Sequence, residues 1–97
     1  MTTEDEAIRG SDAQRLLDEP LLLSAFQAIK DECVRQWDAT PAKAAEEREW
    51  IWRHYKVIAN VEKILRGYVE SGKMARMQMA EKETAMQRMT KHFRKVA

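Results

Sequence analysis

Two histidines and one cysteine carry the nitrogen and sulfur ligands of this 97-residue chain: His54, His92 and Cys33. The histidines lie far apart in the sequence, and no pair among the three has the spacing of a zinc site. His54 falls within an apolar row of a predicted helix, where a hydrogen-bonded histidine at the edge of a core is far more common than a ligand. We therefore predict no metal and no cofactor.

A carboxylate cluster suited in principle to acid–base chemistry is Glu46, Glu47 and Glu49. These residues stand near the start of a predicted helix, where negative charge stabilises the positive end of the helix dipole without any reaction. The sequence offers no serine–histidine–aspartate set and no glycine-rich phosphate loop. We predict that the chain has no catalytic residues and is not an enzyme.

The elements that position these side chains are helices, and the longest is predicted over residues 40–72. Two adjoining apolar rows run along it at steps of three and four residues, a pattern typical of an amphipathic helix. The rows are Trp50, His54, Val57, Val61, Ile64, Tyr68 and Ile51, Tyr55, Ile58, Leu65, Val69. So wide an apolar surface needs more than one partner helix, which favours self-association or docking on a larger assembly.

A short joint at residues 38–41 precedes this helix and predicts an antiparallel hairpin. Thr40 is suited to cap the long helix, and Pro41 to its first turn. Pro20 likewise suits the first turn of the helix before the joint. Because the connection is short, the two helices should pack side by side. The predicted hairpin core is Leu22, Phe26, Ile29, Trp37, Ile51, Tyr55, Ile58 and Leu65.

Two tryptophans extend the prediction beyond the hairpin. Trp50 and Trp52 are separated by two positions, so their directions on a helix diverge by about 200°. They cannot both face one partner, and we expect one to serve the hairpin and the other a second interface. Gly67, inside the same helix, is interpreted as a possible point of close approach by another backbone.

The regions on either side of the hairpin differ from it in amino-acid composition. Residues 1–10 are polar and are predicted to form a flexible leader, with Ser11 capping a short helix over 12–18. The hairpin core is assigned to residues 11–72, with a C-terminal cap around Gly72. Residues 73–97 are predicted to form a basic, methionine-rich helical extension, ordered only against a partner.

Charge and composition limit the partners. Residues 1–19 carry a net charge of −4, residues 20–72 are neutral, and residues 73–97 carry +5. This gradient suggests either pairing between copies or a tail that meets an acidic partner. No apolar run has the length of a membrane span, and the acidic start does not resemble a secretory signal. A single cysteine suits a reducing cytosol, so we expect no membrane association and no secretion.

The tail leaves two interpretations open. Its apolar residues Met79, Met86, Met89 and Phe93 suit a protein partner, because methionines give an adaptable surface. Its bases could instead contact phosphates; these are Arg88, Lys91, Arg94 and Lys95. We favour the protein partner, because the apolar positions keep helical spacing.

Several motifs resemble a group of small, helical tailed-phage and prophage proteins. They are LDEPL at 17–21, AF at 25–26, WDAT at 37–40, RE at 48–49 and the stretch 65–73 that ends in Gly72–Lys73. The resemblance implies a bacteriophage origin, a location in the bacterial cytoplasm or the virion, and a non-enzymatic role in the particle or its assembly. It assigns no functional residue.

We therefore predict an all-α protein: an antiparallel helical hairpin with a short N-terminal helix and a C-terminal helical extension. Its expected function is structural or in assembly, as a homo-oligomer or docked on a larger phage assembly. The alternatives are a small nucleic-acid-binding or DNA-packaging protein and an inhibitor of a host protein. The predicted interaction surface is Trp50, Trp52, Val57, Val61, Ile64, Tyr68, Met79, Met86, Met89 and Phe93.

Overall fold

The computed structural model describes residues 1–96, and the side chains of residues 1–94. Within this range the chain forms three helices: α1 (Thr3–Leu17), α2 (Pro20–Ala39) and α3 (Ala45–Val96). The predicted all-α class is confirmed. None of these described helices contains a stretch both long and apolar enough to cross a membrane.

Helix α1 begins almost at the N-terminus, so the predicted flexible leader over residues 1–10 is wrong. The Asp5 backbone N–H donates to the Thr2 hydroxyl at 3.1 Å, and the Asp5 carboxylate accepts the Thr2 N–H at 3.2 Å. This reciprocal capping box satisfies two N–H groups that a helix start would otherwise leave unpaired. The backbone N–H of Thr2 also lowers the pKa of Asp5. Ser11, predicted as the cap, lies inside the helix.

The joint between α2 and α3 also differs from the prediction. Thr40 ends α2 rather than starting α3: its N–H donates to the Trp37 carbonyl at 3.2 Å, and its hydroxyl to the Gln36 carbonyl at 2.6 Å. Pro41 lies in the following turn, whose Ala44 N–H donates to the Pro41 carbonyl at 3.0 Å. Thr40 was assigned to the wrong helix because a threonine hydroxyl can accept from N–H groups at the start of one helix or donate to carbonyls at the end of another. The predicted start of α2 at Pro20 is confirmed.

Helix α3 runs without interruption through Gly72, so the predicted C-terminal cap there is wrong. No described glycine has a positive φ, and α3 contains no proline to break it. Its 52 residues correspond to about 78 Å of helix, which accounts for the 81 Å length of the molecule. Residues 73–96 therefore continue the same helix and are not a separate element.

Helix α2 lies antiparallel along the first part of α3. The Lys30 ammonium is 2.8 Å from the Glu62 carboxylate, and both side chains are largely buried. At the other end, Trp37 contacts Arg48. These two contacts fix the alignment of the helices, because each joins residues on different elements.

Helix α1 crosses α3 at a pair of glycines. A Cβ atom on Gly10 would lie 2.6 Å from the Gly72 Cα, and one on Gly72 would lie 2.7 Å from the Gly10 Cα. Around them the buried residues are three alanines and one valine: Ala7, Ala13, Val69 and Ala75. The close backbone approach expected at Gly67 occurs here instead, since nothing lies within 4 Å of a Cβ on Gly67.

The predicted hairpin core is mostly not buried. Ile51 is 4% exposed, but Ile29 and Trp37 are exposed, which corrects their assignment to the core. The other five are half-buried: Leu22, Phe26, Tyr55, Ile58 and Leu65. The reason is geometric, because α1 docks further along α3 and no third helix covers the α2–α3 pair.

The fold therefore leaves much surface open. The chain exposes 7867 Å², whereas a compact monomer of this mass would expose about 5,700 Å². Its radius of gyration is 22.5 Å, against about 12.5 Å for a compact domain of this length. The excess surface is comparable to what a stable protein–protein interface buries.

Candidate interaction surface

The joint end of the molecule is held by one arginine. The Arg48 guanidinium carbon lies 3.9 Å from the centre of the Trp37 ring, and the group donates to the Thr40 carbonyl at 2.8 Å. A longer contact, 3.5 Å, reaches the Trp37 carbonyl. Carbonyls at a helix C-terminus lack partners within the helix, so Arg48 satisfies the end of α2 from the first turns of α3.

An open apolar groove of about 570 Å³ runs between α2 and α3. Trp50 and Val57 lie along its α3 side and are 57% and 61% exposed. Ile29 and Cys33 contribute the α2 side. A groove of this size, lined by large apolar side chains, can receive side chains from another helix.

Polar groups lie at the rim of this groove. His54 stacks on Trp50 with ring centres 3.8 Å apart, and its Nδ1 is 2.9 Å from the Trp50 carbonyl. Glu32, also on the rim, accepts from Arg35 and Gln36, and these hydrogen bonds lower the pKa of its carboxyl to about 2. Glu32 on the rim is thus held as a carboxylate paired with Arg35.

A second apolar cleft lies on the other side of the α2–α3 pair. Trp52 is 52% exposed and lines this cleft with Trp37, Val34 and Tyr55. The two tryptophans of α3 thus open to different sides, as their spacing predicted. Neither is buried in the hairpin, however, because Ile51 between them occupies that position.

The remaining predicted surface residues on the middle of α3 divide into two groups. Val61 and Ile64 are exposed and continue the Trp50–Val57 side of the helix. Tyr68 is half-buried beneath the Arg9 guanidinium, whose carbon lies 4.1 Å from the ring centre. Met79 is half-buried too. Tyr68 is therefore used inside the molecule, and its assignment to a free surface is corrected.

The end of α3 stands clear of the rest of the protein. Every described side chain from residue 80 to residue 94 is exposed, including Met86, Met89 and Phe93. The candidate phosphate contacts Arg88, Lys91 and Arg94 are exposed as well, whereas Lys95 lies outside the residues whose side chains are described. An amphipathic helix end without a neighbour is suited to a partner molecule.

The structure assigns ordinary contacts to the acidic cluster. Glu49 accepts from Arg53 at 2.8 Å, while Glu46 and Glu47 lie in the first turn of α3. Within the described residues, no group of three or more histidine, cysteine, aspartate or glutamate side chains is placed to hold a metal ion.

Sequence reasoning missed two features. One is the helix crossing, whose signal is a glycine flanked three residues away on each side by alanine or valine: Ala7, Gly10, Ala13 on α1 and Val69, Gly72, Ala75 on α3. The other is the bonding of Arg48 to the α2 end, for which no local signal exists.

Comparison with protein families, with curated proteins and with solved structures gives no match to this chain.

Proposed function

We propose that this chain is a non-enzymatic assembly protein that associates with copies of itself, or docks on a larger particle, through apolar helical surfaces. The observation that carries the proposal is the unburied surface, about 2,100 Å² more than a compact monomer of this mass would expose. Large apolar side chains on α3 contribute to it, among them Trp50, Trp52, Val57 and Met86. Exposed apolar surface of this kind typically marks interaction sites.

In this proposal α2 and the first part of α3 act as a hairpin unit, with partners on the Trp50 side and the Trp52 side. The tail of α3 supplies a further contact. The role in a phage particle or its assembly that the sequence resemblance implies belongs to the same proposal, since a helical adaptor needs surfaces and no reactive site.

Light scattering tests self-association directly. The expected mass at micromolar concentration is at least twice 11.3 kDa. A monodisperse monomer would rule out self-association and leave docking on a different protein, including inhibition of a host protein.

A matched pair of variants locates the surface. Val57→Ser should weaken association about tenfold, or about 1.4 kcal/mol, because it removes an anchor from the groove. Met77→Ser changes a residue of nearly equal exposure, 63% against 61%, outside the predicted surface. Its association should stay within about twofold of the unaltered chain, since isolated surface side chains contribute little. Equal losses in both variants would contradict the assignment.

Nucleic-acid binding is the second candidate, favoured by the exposed bases on the tail. Phosphate binding releases counterions, so affinity for DNA would fall steeply as salt is raised. A salt-sensitive complex that is lost when Arg88, Lys91, Arg94 and Lys95 become Gln would place this function first.

A further inference from the structure

The tail of α3 continues a helix face that α1 covers further back along the same helix. The covered residues on that face are Tyr68, Gly72, Ala75 and Met79, at steps of four, three and four residues. Every side chain from residue 80 to residue 94 is exposed, so the cover ends at Met79. The tail therefore presents an open face in direct continuation of an existing helix–helix interface.

That open face has the spacing of a coiled coil. It carries a row, here called the tail seam, that consists of Lys82, Met86, Met89 and Phe93, again at steps of four, three and four. Alternating steps of three and four are the pattern by which paired helices interdigitate in layers. The steps are the same when the seam is read in either direction, so the seam is symmetric about the point between residues 87 and 88. A row with this symmetry can pair with its own copy running the opposite way.

Charge also favours the antiparallel direction for two paired tails. Residues 81–84 hold two acids and one base, whereas residues 91–94 hold two bases and no acid. An antiparallel pair brings these two segments level with each other, while a parallel pair sets the bases of 91–94 against the same bases. Complementary charge across an interface fixes orientation more than it raises affinity.

Lys82, the one charged residue of the tail seam, supports the same direction. In an antiparallel pair it lies opposite Phe93 of the second copy, where an ammonium group can rest on the aromatic face. In a parallel pair it would lie against Lys82 of the second copy, charge on like charge. A single polar residue at such a position typically specifies how paired helices align.

The pairing leaves α1 of both copies in place. The seam residue nearest to the α1 cover is Lys82, three residues beyond Met79. In the second copy, the residues that its own α1 covers, 68–79, lie level with residue 96 of the first copy or beyond it. The two copies thus overlap through their tails alone, so neither α1 stands between the paired helices.

We propose that two copies of this chain pair antiparallel through their tail seams, about a two-fold axis that passes between residues 87 and 88. The proposal rests on the proposed function and identifies a second copy of the chain as one of its partners. The axis generates each contact twice, Met86 on Met89 and Lys82 on Phe93. The dimer is then an extended rod about 130 Å long, because the start of each α3 lies about 64 Å from the axis.

Distances between nitroxide spin labels test this arrangement in the full-length chain. With Cys33→Ser as background, one preparation carries Met74→Cys and another carries Met77→Cys, and both methionines are 63% exposed. Each residue of separation from the axis adds about 3 Å between the two copies of a label, twice the helical rise. Double electron–electron resonance should therefore give about 41 Å for position 74 and about 32 Å for position 77.

A matched pair of aspartate variants tests the seam by a second measurement. Met89 and Met77 are similarly exposed, 59% and 63%, but only Met89 belongs to the tail seam. Met89→Asp should weaken association at least about tenfold in light scattering, because it brings an unpaired charge against Met86 of the second copy. Met77→Asp should stay within about twofold of the unaltered chain. Circular dichroism of each variant verifies that the helices have formed.

The outcomes separate the inference from the proposed function. Short and equal distances at positions 74 and 77 would mean parallel tails and would overturn the inference. Equal losses in the two aspartate variants, or an oligomer without the two expected distances, would also overturn it, and the proposed function would stand on its other surfaces. A monomer by light scattering would overturn the inference and leave only docking on a different protein.

Discussion

Arg48 shows how a single side chain can join two helices. Its guanidinium covers the Trp37 ring and donates to the Thr40 carbonyl, so it combines stacking with a charged hydrogen bond. Arg53, by contrast, contacts Glu49 within a single helix. The two residues therefore provide a comparison at equal charge.

Arg48→Ala should lower the free energy of unfolding by about 1–3 kcal/mol, since it leaves helix-end carbonyls without their donor. Arg48→Lys should recover only part of this, because an ammonium lacks the planar fork. Arg53→Ala should cost below about 0.5 kcal/mol. Urea unfolding at one fixed protein concentration measures all three. A larger loss for Arg53→Ala would contradict the role of Arg48.

Glu32 gives a prediction about pH at the rim of the groove. Hydrogen bonds from Arg35 and Gln36 lower its pKa from the ordinary 4.5 to about 2. A lowered pKa means that the ionised contact stabilises the fold above pH 4.5, and that this contribution is lost as pH falls toward about 2. Arg35→Gln should raise the pKa of Glu32 toward its ordinary value. NMR titration of the carboxyl carbon tests this, and an unchanged midpoint would show that Arg35 is not the cause.

At the scale of the elements, the packing of α1 on α3 depends on two residues without side chains. The Gly10 and Gly72 backbones touch, and a Cβ on Gly10 would also lie 2.8 Å from the Tyr68 carbonyl oxygen. Backbone atoms cannot move aside as a flexible side chain can. The contact therefore tolerates no added methyl group while α1 stays in place.

Gly10→Ala and Gly72→Ala should each lower the free energy of unfolding by about 1–3 kcal/mol, the usual cost of overpacking. Gly67→Ala is the control in the same helix: with open space around it, alanine should stabilise α3 by about 0.5–1 kcal/mol. Thermal unfolding followed by circular dichroism gives the signs. If all three alanines stabilised the protein, α1 would not be packed at this crossing.

At the scale of the whole molecule, an 81 Å rod with a radius of gyration of 22.5 Å cannot bury its apolar residues on itself. Near the end of α3, Met86, Met89 and Phe93 are exposed, and basic side chains lie on the same part of the helix. Because the apolar and basic side chains belong to different residues, substitutions can test the contribution of each set separately.

Replacement of Met86, Met89 and Phe93 by Ser should return the protein toward monomer mass in light scattering, because these residues supply the apolar layers of the tail. Replacement of Arg88, Lys91, Arg94 and Lys95 by Gln should weaken association less and reduce its dependence on salt, since steering by charge is screened. A larger loss of association in the Gln variant would contradict this order of effects. Sedimentation with and without DNA tests the nucleic-acid alternative separately.

Local signals in the sequence determined the helical class and the start of α2, but not the other helix boundaries. Low glycine and proline content and the three-and-four spacing gave the all-α class, and Pro20 gave the start of α2. The divergence of Trp50 and Trp52 also followed from helix geometry alone. These predictions succeeded because helix formation and side-chain direction depend on neighbours within one or two turns.

Tertiary structure alone decided which of those surfaces are covered. The sequence does not say that α1 packs on Gly72 and leaves the α2–α3 groove open, nor that Arg48 serves the end of another helix. Even the cap at Thr40 was ambiguous, since one hydroxyl can end a helix or begin the next. The physical reason is that an apolar row shows which face of a helix tends to be buried. Which helix covers that face depends on how well it packs with residues that are distant in the sequence. Two glycines in contact place α1, and α1 in turn leaves the Trp50 side of α3 exposed.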